Sequence, residues 1–430
     1  MGVFFGTDGL RGVVGEELSY DIAYRVGNAL SSLSPKRVLI GRDTRISGEY
    51  LTMAISLGLM SGGVDVVDVG VCPTAGVAYL TRQGYDYGIV VSASHNPKAY
   101  NGIKIFDRYG YKLSDAGESE VERRFVRPNV VPASEMGRYR REYRLVDAYE
   151  DYLVGIGERL DGLRVVLDCA NGASSYIAPR VFERLGASVE AYYHDGESGE
   201  INEGCGALYP EAIQGKMSAD TDIGYCFDGD SDRLITISKD GELIDGDMLI
   251  YYIGTAFKRD GLLKDNTVVG TSHTNMGIEK ALEREGIRLI RTDIGDKYVL
   301  RKLVEKSLSI GGEQSGHIIL KDLATTGDGI LTAIVFSAIV KRGFESISHL
   351  LYPQSNVNVQ VLDKWRVINS EELAVAVSRA TRILEGRGRV MVRASGTEEK
   401  IRIMVESEDS TLNDTLAKDI QNVIRDINAL

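Results

Sequence analysis

The run Cys226-Phe227-Asp228-Gly229-Asp230-Ser231-Asp232-Arg233 sets three carboxylates at i, i+2 and i+4 behind an apolar, strand-like stretch. Oxygen-only ligands in that pattern can converge on one hard cation, Mg²⁺ or Ca²⁺. The calcium loop of helix-loop-helix proteins is ruled out at two positions. Arg233 stands where that loop needs Gly, and Lys239 where it needs a bidentate Glu. Three carboxylates without a larger cage suit Mg²⁺ completed by water or a phosphate oxygen. The alternative, a solvated acidic turn, would crowd three like charges with nothing to offset their repulsion. Arg233 carries a planar fork that can hold two phosphate oxygens at once.

Three further stretches offer polar groups at turns. In Val90-Val91-Ser92-Ala93-Ser94-His95-Asn96-Pro97 the chain leaves an apolar run, and Pro97 pushes Asn96 out of the helical region. Ser94 is thereby expected on a tight loop just past a strand's C-terminal end, where open α/β sheets bind ligands. The competing account makes Ser94 and Asn96 turn formers that bond their own backbone. The loop Arg393-Ala394-Ser395-Gly396-Thr397-Glu398-Glu399-Lys400-Ile401-Arg402 joins two arginines, two hydroxyls and a glycine into a candidate anion nest, a pattern shared with ordinary polar hairpin loops. Gly311-Gly312-Glu313-Gln314-Ser315-Gly316-His317 and Thr325-Thr326-Gly327-Asp328-Gly329 offer donors and acceptors for a polyhydroxylated ligand, or else form flexible turns.

The remaining composition excludes several chemistries. The five histidines have no metal-ligand spacing, so a zinc site is not expected. No G-x-S-x-G elbow surrounds Ser94, and no Walker A sequence occurs. A net charge of −12 argues against nucleic acid or an anionic membrane as partner, while leaving room for a small phosphorylated ligand. The Arg-rich segment 123–144 is interleaved with Glu135 and Glu142 and reads as a solvated interdomain face. Cys72, Cys169, Cys205 and Cys226 are widely spaced, so reduced thiols and a cytoplasmic location are expected, and Met1-Gly2-Val3-Phe4-Phe5 runs straight into a Gly-rich polar segment, so no signal peptide is expected. The longest apolar run, Ile330 to Val340, is too short to span a bilayer and reads as a buried helix.

These loops need strands to hold them. Val38-Leu39-Ile40, Val165-Val166-Leu167 and Val268-Val269-Gly270 each precede a small polar turn and a helix-like stretch. Strands alternating with helices predict βαβ units and mainly parallel sheets. The pattern predicts three similar mixed-sheet α/β domains in series. Near the C-terminus, Val390–Arg393 and Ile401–Val405 flank a polar loop, and an amphipathic helix follows from about Leu412, which predicts a smaller α+β domain. Turns at Lys239-Asp240-Gly241 and Pro353-Gln354-Ser355, with the 123–144 segment, mark the expected borders: 1–140, 141–240, 241–353 and 354–430.

Taken together, the motifs resemble the α-D-phosphohexomutase superfamily over nearly the whole chain. Phe5-Gly6-Thr7-Asp8-Gly9-Leu10-Arg11-Gly12 is similar to its N-terminal signature, and Ser92 to Pro97 to its phosphoserine loop. Asp228 to Arg233 resembles its metal loop, Gly312 to His317 its sugar loop, and Arg393 to Arg402 its phosphate loop. The sugar loop, Thr325 to Gly329, Ser92 and Ile201-Asn202-Glu203-Gly204-Cys205-Gly206 look like the phosphoglucosamine mutase branch. The other branch acts on mannose or glucose phosphates. Ala394 and Glu399 depart from prolines common in the phosphate loop, and Lys297 from a frequent Arg.

The resemblance implies four domains around a central cleft, and an isomerase that moves phosphate within a hexosamine phosphate. It implies that Ser94 is carried as phosphoserine and that one Mg²⁺ per active site is held by Asp228, Asp230, Asp232 and an oxygen at Ser94. A sugar bisphosphate would serve as intermediate and activator. Lys104 takes the position of the general base, while Arg11, His95 and Arg233 support the reacting phosphate. Glu313, Ser315, His317 and Lys297 would contact the sugar, and Arg393, Ser395, Gly396, Thr397 and Arg402 the other phosphate. The expected state is a monomer or homodimer, with no nucleic-acid or membrane partner.

Overall fold

The computed structural model describes residues 9–125, 128–395 and 398–429. It divides into two compact units, Met1–Thr274 with Glu285–Glu345, and Asn275–Arg284 with Ser346–Leu430.

The first unit holds three mixed sheets. The first contains β1 (Leu10–Val13), β2 (Arg37–Arg42), β3 (Asp65–Val71), β4 (Tyr87–Val91), β5 (Tyr100–Asp107) and β6 (Tyr139–Arg141), in the order β1-β5-β4-β2-β3-β6. The second contains β7 (Arg164–Asp168), β8 (Ser188–Tyr192), β9 (Ile223–Phe227), β10 (Leu234–Ser238) and β11 (Leu243–Ile244), in the order β11-β10-β9-β7-β8. The third contains β12 (Thr267–Thr271), β13 (Arg288–Thr292), β14 (Ile310–Gly312) and β15 (Ile318–Leu320), in the order β13-β12-β14-β15. The three apolar triplets singled out in the sequence are β2, β7 and β12, each the strand from which its sheet's parallel pairs grow.

One wiring recurs in all three. A parallel strand is followed by an antiparallel neighbour: β4 by β5, β9 by β10, β14 by β15. The loops closing these hairpins are residues 92–99, 228–233 and 313–317, the serine, acidic and glycine-rich stretches. The turn Lys239-Asp240-Gly241 closes the β10–β11 pair, so the second sheet continues through it.

Local packing explains the rigidity behind the first loop. Ser19 caps the helix Tyr20–Ser31 by accepting from the Ile22 N–H. This helix crosses Ile46–Ser61 at Gly27 and Gly58, where an added Cβ would meet backbone oxygens at 2.1 Å. Both helices close over Val38, Ile40, Ile89 and Val91, which are fully buried. The apolar run Ile330–Val340 lies in the largely buried helix Gly329–Arg342.

The second unit carries a three-stranded antiparallel sheet: β16 (Gln354–Gln360), β17 (Gly388–Ala394) and β18 (Lys400–Ser407), in the order β16-β18-β17. Val359, Ile401 and Ile403 pack there with Leu416, Ile420 and Ile424 of the helix Ser410–Ala429. This is the smaller C-terminal α+β fold expected from the sequence.

Candidate active site

The first two hairpin loops meet at Ser94. Its Oγ donates to Asp228 Oδ2 at 2.5 Å, and the side chain is buried. Its backbone is left-handed, with φ of 53°, a conformation that costs energy for a residue with a Cβ and persists only where the surroundings enforce it. The Ser94 N–H donates to Ser92 Oγ at 2.9 Å.

Lys104 reaches the same place from β5, where it pairs opposite Val90. Its Nζ lies 2.7 Å from Asp230 Oδ2 and 3.2 Å from Asp232 Oδ2, with the side chain 1% exposed. Asp230 Oδ2 also accepts from Thr74 Oγ1 at 2.6 Å. Asp228, Asp230 and Asp232 each offer an oxygen, and these oxygens lie within 4.8 Å of one another. Burial, with the neighbouring Asp232 and Asp230 charges, pushes Asp228 up. Burial acts the same way on Asp232, but Lys104, His317 and Arg233 outweigh it and hold that carboxyl well below the usual range.

The donor set fits a hard divalent cation. It is all oxygen, it converges, and Asp230 Oδ1 is buried with no hydrogen-bond partner among the described residues. Buried carboxylate oxygens left without donors are costly unless a cation meets them.

The loop after the aspartates and His95 also approach the serine. The Arg233 main-chain N–H donates to Asp228 Oδ1 at 3.2 Å. His95 Nδ1 lies 3.5 Å from Ser94 Oγ. Burial, then Arg233 and Arg11, press the His95 pKa down to about 4, so its ring is neutral near pH 7. Arg11 lies on β1, and residues Phe5 to Asp8 of the N-terminal signature fall outside the described residues.

The third loop reaches the acidic cluster through His317, whose Nδ1 sits 3.5 Å from Asp232 Oδ1. The Gly327 N–H donates to Nε2 at 3.2 Å, which leaves the ring proton on Nδ1, facing Asp232. Glu313 Oε1 accepts from the Gly295 N–H at 2.9 Å, and Ser315 is exposed at the loop. Lys297 Nζ lies 2.9 Å from Asp115 Oδ1.

In the second unit Arg393 and Arg402 are paired directly across β17 and β18. Burial and the Arg402 charge lower the Arg393 pKa, and its buried Nε has no hydrogen-bond partner among the described residues. Two like charges held opposite each other favour an anion between them. Ser395 is buried, and its N–H donates to the Lys400 carbonyl at 2.8 Å. Gly396 and Thr397 lie outside the described residues.

Residues 2–129, 245–355 and 356–423 match domain I, domain III and the C-terminal domain of the phosphoglucomutase/phosphomannomutase family. The chain belongs to this family of phosphohexomutases. It is 42% identical over 441 residues to a phosphoglucosamine mutase of Carboxydothermus hydrogenoformans, covering 99% of each chain. It is 44% identical over 444 residues to that of Pelotomaculum thermopropionicum, covering 99% of this chain and all of the relative. Among solved structures, a phosphoglucomutase/phosphomannomutase family protein of Burkholderia thailandensis superposes with a TM-score of 0.82 at 24% identity, over 99% and 97% of the two chains. The N-acetylphosphoglucosamine mutase of Aspergillus fumigatus, solved with GlcNAc-6P and magnesium, gives 0.68 at 17% identity, over 99% and 96%. Both likenesses concern the fold.

Sequence reasoning about this phosphohexomutase missed several residues at Ser94. Thr74, Asp43, Arg45 and Asn202 all touch the serine loop or the acidic loop. The hints available were the small polar turn after β2, which holds Asp43, and the Ile201–Gly206 stretch, which holds Asn202. Among the described residues no helix is long and apolar enough to cross a membrane.

Proposed function

We propose that the chain interconverts glucosamine 6-phosphate and glucosamine 1-phosphate, with Ser94 carried as phosphoserine. The observation behind this is the Ser94 hydroxyl, held in a left-handed turn 2.5 Å from one of three converging aspartates. The full-length likeness to phosphoglucosamine mutases supports the substrate.

In this scheme a sugar hydroxyl oxygen bonds to the phosphorus on Ser94 as the bond from phosphorus to Ser94 Oγ breaks. The hydroxyl proton passes by way of Lys104 to the departing Ser94 Oγ. The bound bisphosphate turns over, and Ser94 Oγ takes back the phosphoryl group from the other end while its proton passes by way of Lys104 to the released sugar oxygen, leaving the isomeric monophosphate. Mg²⁺ held by Asp228, Asp230 and Asp232 would offset charge on the transferring group. Lys104 Nζ lies within hydrogen-bond reach of two of those carboxylates. Arg11, Arg233 and neutral His95 steady the reacting phosphate. Glu313, Ser315, His317 and Lys297 contact sugar hydroxyls. Arg393, Ser395, Gly396, Thr397 and Arg402 take the phosphate that is not being transferred.

The division at residues 140, 240 and 353 belongs to the same proposal, with β11 reaching back across the second border. So does a soluble, cytoplasmic enzyme acting as monomer or homodimer. The second reading, action on mannose or glucose phosphates, draws on the family descriptions. Turnover of the three hexose 6-phosphates separates the readings. Glucosamine 6-phosphate is expected to be best and Ser94→Ala inactive. A glucosamine substrate poorer than the other two would overturn the substrate assignment.

A further inference from the structure

Arg45 follows β2 and its side chain is fully buried. A guanidinium has five N–H donors, and here each one finds an oxygen. Nε donates to Asp43 Oδ2 at 2.9 Å. Nη1 donates to the carbonyls of Pro97 and Tyr100 at 2.6 and 3.0 Å. Nη2 donates to the carbonyls of Ser94 and Asn96 at 2.9 and 2.8 Å. Four of the five acceptors are therefore main-chain oxygens of the serine loop and its exit.

The same two carbonyls receive a second donor. Asn202 Nδ2 donates to Ser94 O at 2.8 Å and to Asn96 O at 3.1 Å. Asn202 is itself left-handed, with φ of 60°. Asp43 completes the circuit, because its Oδ2 also accepts from Ser92 Oγ at 2.6 Å, and Ser92 Oγ accepts from the Ser94 N–H. A strained residue is thus held at both ends: its N–H through Ser92 and Asp43, its carbonyl through Arg45 and Asn202.

We propose that Arg45, assisted by Asn202, is a positioning residue that holds Ser94 in its left-handed turn so that Oγ meets the acidic loop in register for phosphoryl transfer. This rests on the reading of Ser94 as the phosphoryl carrier. Arg45 touches no reacting atom. Its contribution lies in the chemical step, where a displacement near 1 Å costs roughly 10²-fold. Lysine cannot replace it, since a single ammonium reproduces neither the plane nor the reach of the fork.

The test compares wild type, Arg45→Lys and Asn202→Gly. Glycine tolerates the left-handed backbone of residue 202 while removing the amide. Purified protein, stripped of phosphate, is mixed with glucose 1,6-bisphosphate and Mg²⁺, and phosphate on the Ser94 peptide is followed by quenched-flow mass spectrometry. Steady-state kcat and KM are measured in parallel. Arg45→Lys is expected to slow Ser94 phosphorylation and kcat about 100-fold, and Asn202→Gly about 10-fold, with KM and Mg²⁺ affinity within about threefold of wild type. A merely structural role would lower the melting temperature without this split. If Arg45→Lys does not fold, Asn202→Gly decides alone. Wild-type rates in Asn202→Gly and in any folded Arg45→Lys would overturn the clamp while leaving phosphoserine intact. A wild type that takes up no phosphate at Ser94 would overturn both.

Discussion

Replacing Lys104 by Met removes the only ammonium bonded to the acidic loop among the described residues while keeping most of the stem's volume. At 2.7 Å from Asp230, and with an effective dielectric near 20, the pair is worth roughly 6 kcal/mol gross. Desolvation of both groups offsets much of that. The net loss on removing one partner of a buried pair is about 3–5 kcal/mol, because the other is left uncompensated. Unfolding a chain of 430 residues releases about 0.9 kcal/mol/K, so a loss of 4 kcal/mol lowers the melting temperature by about 4 °C in EDTA. The same substitution deletes a positive charge beside the proposed metal site. Mg²⁺ therefore binds more tightly, and the melting temperature rises more on adding Mg²⁺ to Lys104→Met than to wild type. Activity does not return with stability: kcat stays down by about 10²–10⁴ because the proton acceptor is gone. Melting curves with EDTA and with a Mg²⁺ series, beside the turnover assay, read all three. A variant that melts within 1 °C of wild type in EDTA, or gains no more from Mg²⁺, refutes the electrostatic account of this cluster.

Two further substitutions probe the packing. Gly229→Ala puts a Cβ 2.7 Å from the Ser94 carbonyl oxygen and 2.7 Å from Ile201 Cδ1, so the serine loop must shift; kcat is expected to fall at least about 10-fold, as activity assays would show. Asp328 caps the helix Gly329–Arg342, accepting from the Leu331 N–H at 2.9 Å and from Tyr149 Oη at 2.7 Å, and burial pushes its pKa up to about 6. The folded state then binds a proton more tightly than the unfolded chain, so this group's contribution is full below about pH 4 and is lost as pH rises to about 6. Asp328→Asn, also a good cap, is expected to match wild type near pH 4 and to exceed it by up to about 3 kcal/mol at pH 8, measured by urea denaturation. An unchanged difference between the two pH values would remove burial as the cause.

Much of the scaffold could be read from residue order. The apolar triplets at 38–40, 165–167 and 268–270 mark strands because β-branched runs followed by small polar turns have few other homes. The three loops were visible too, since carboxylates at i, i+2 and i+4 or a serine before Asn-Pro are local patterns. What no local pattern carries is partnership across distance. Thr74 meets Asp230 across 156 positions, and Asn202 meets Ser94 across 108. Arg45 carries no local signal of its role, and only folding shows its five acceptors. Lys297 is a further case. Its ammonium meets Asp115 across 182 positions, a partner that the Asp293–Tyr298 motif does not show.

In the proposed cycle Ser94 Oγ lends and reclaims the phosphoryl group. Enzyme carrying ³²P on Ser94 should, on mixing with excess unlabelled glucosamine 6-phosphate, pass its label into the hexosamine phosphate pool at the rate of isomerisation. Label that stays on the protein through many turnovers, or isomerisation that persists in Ser94→Ala, would contradict it.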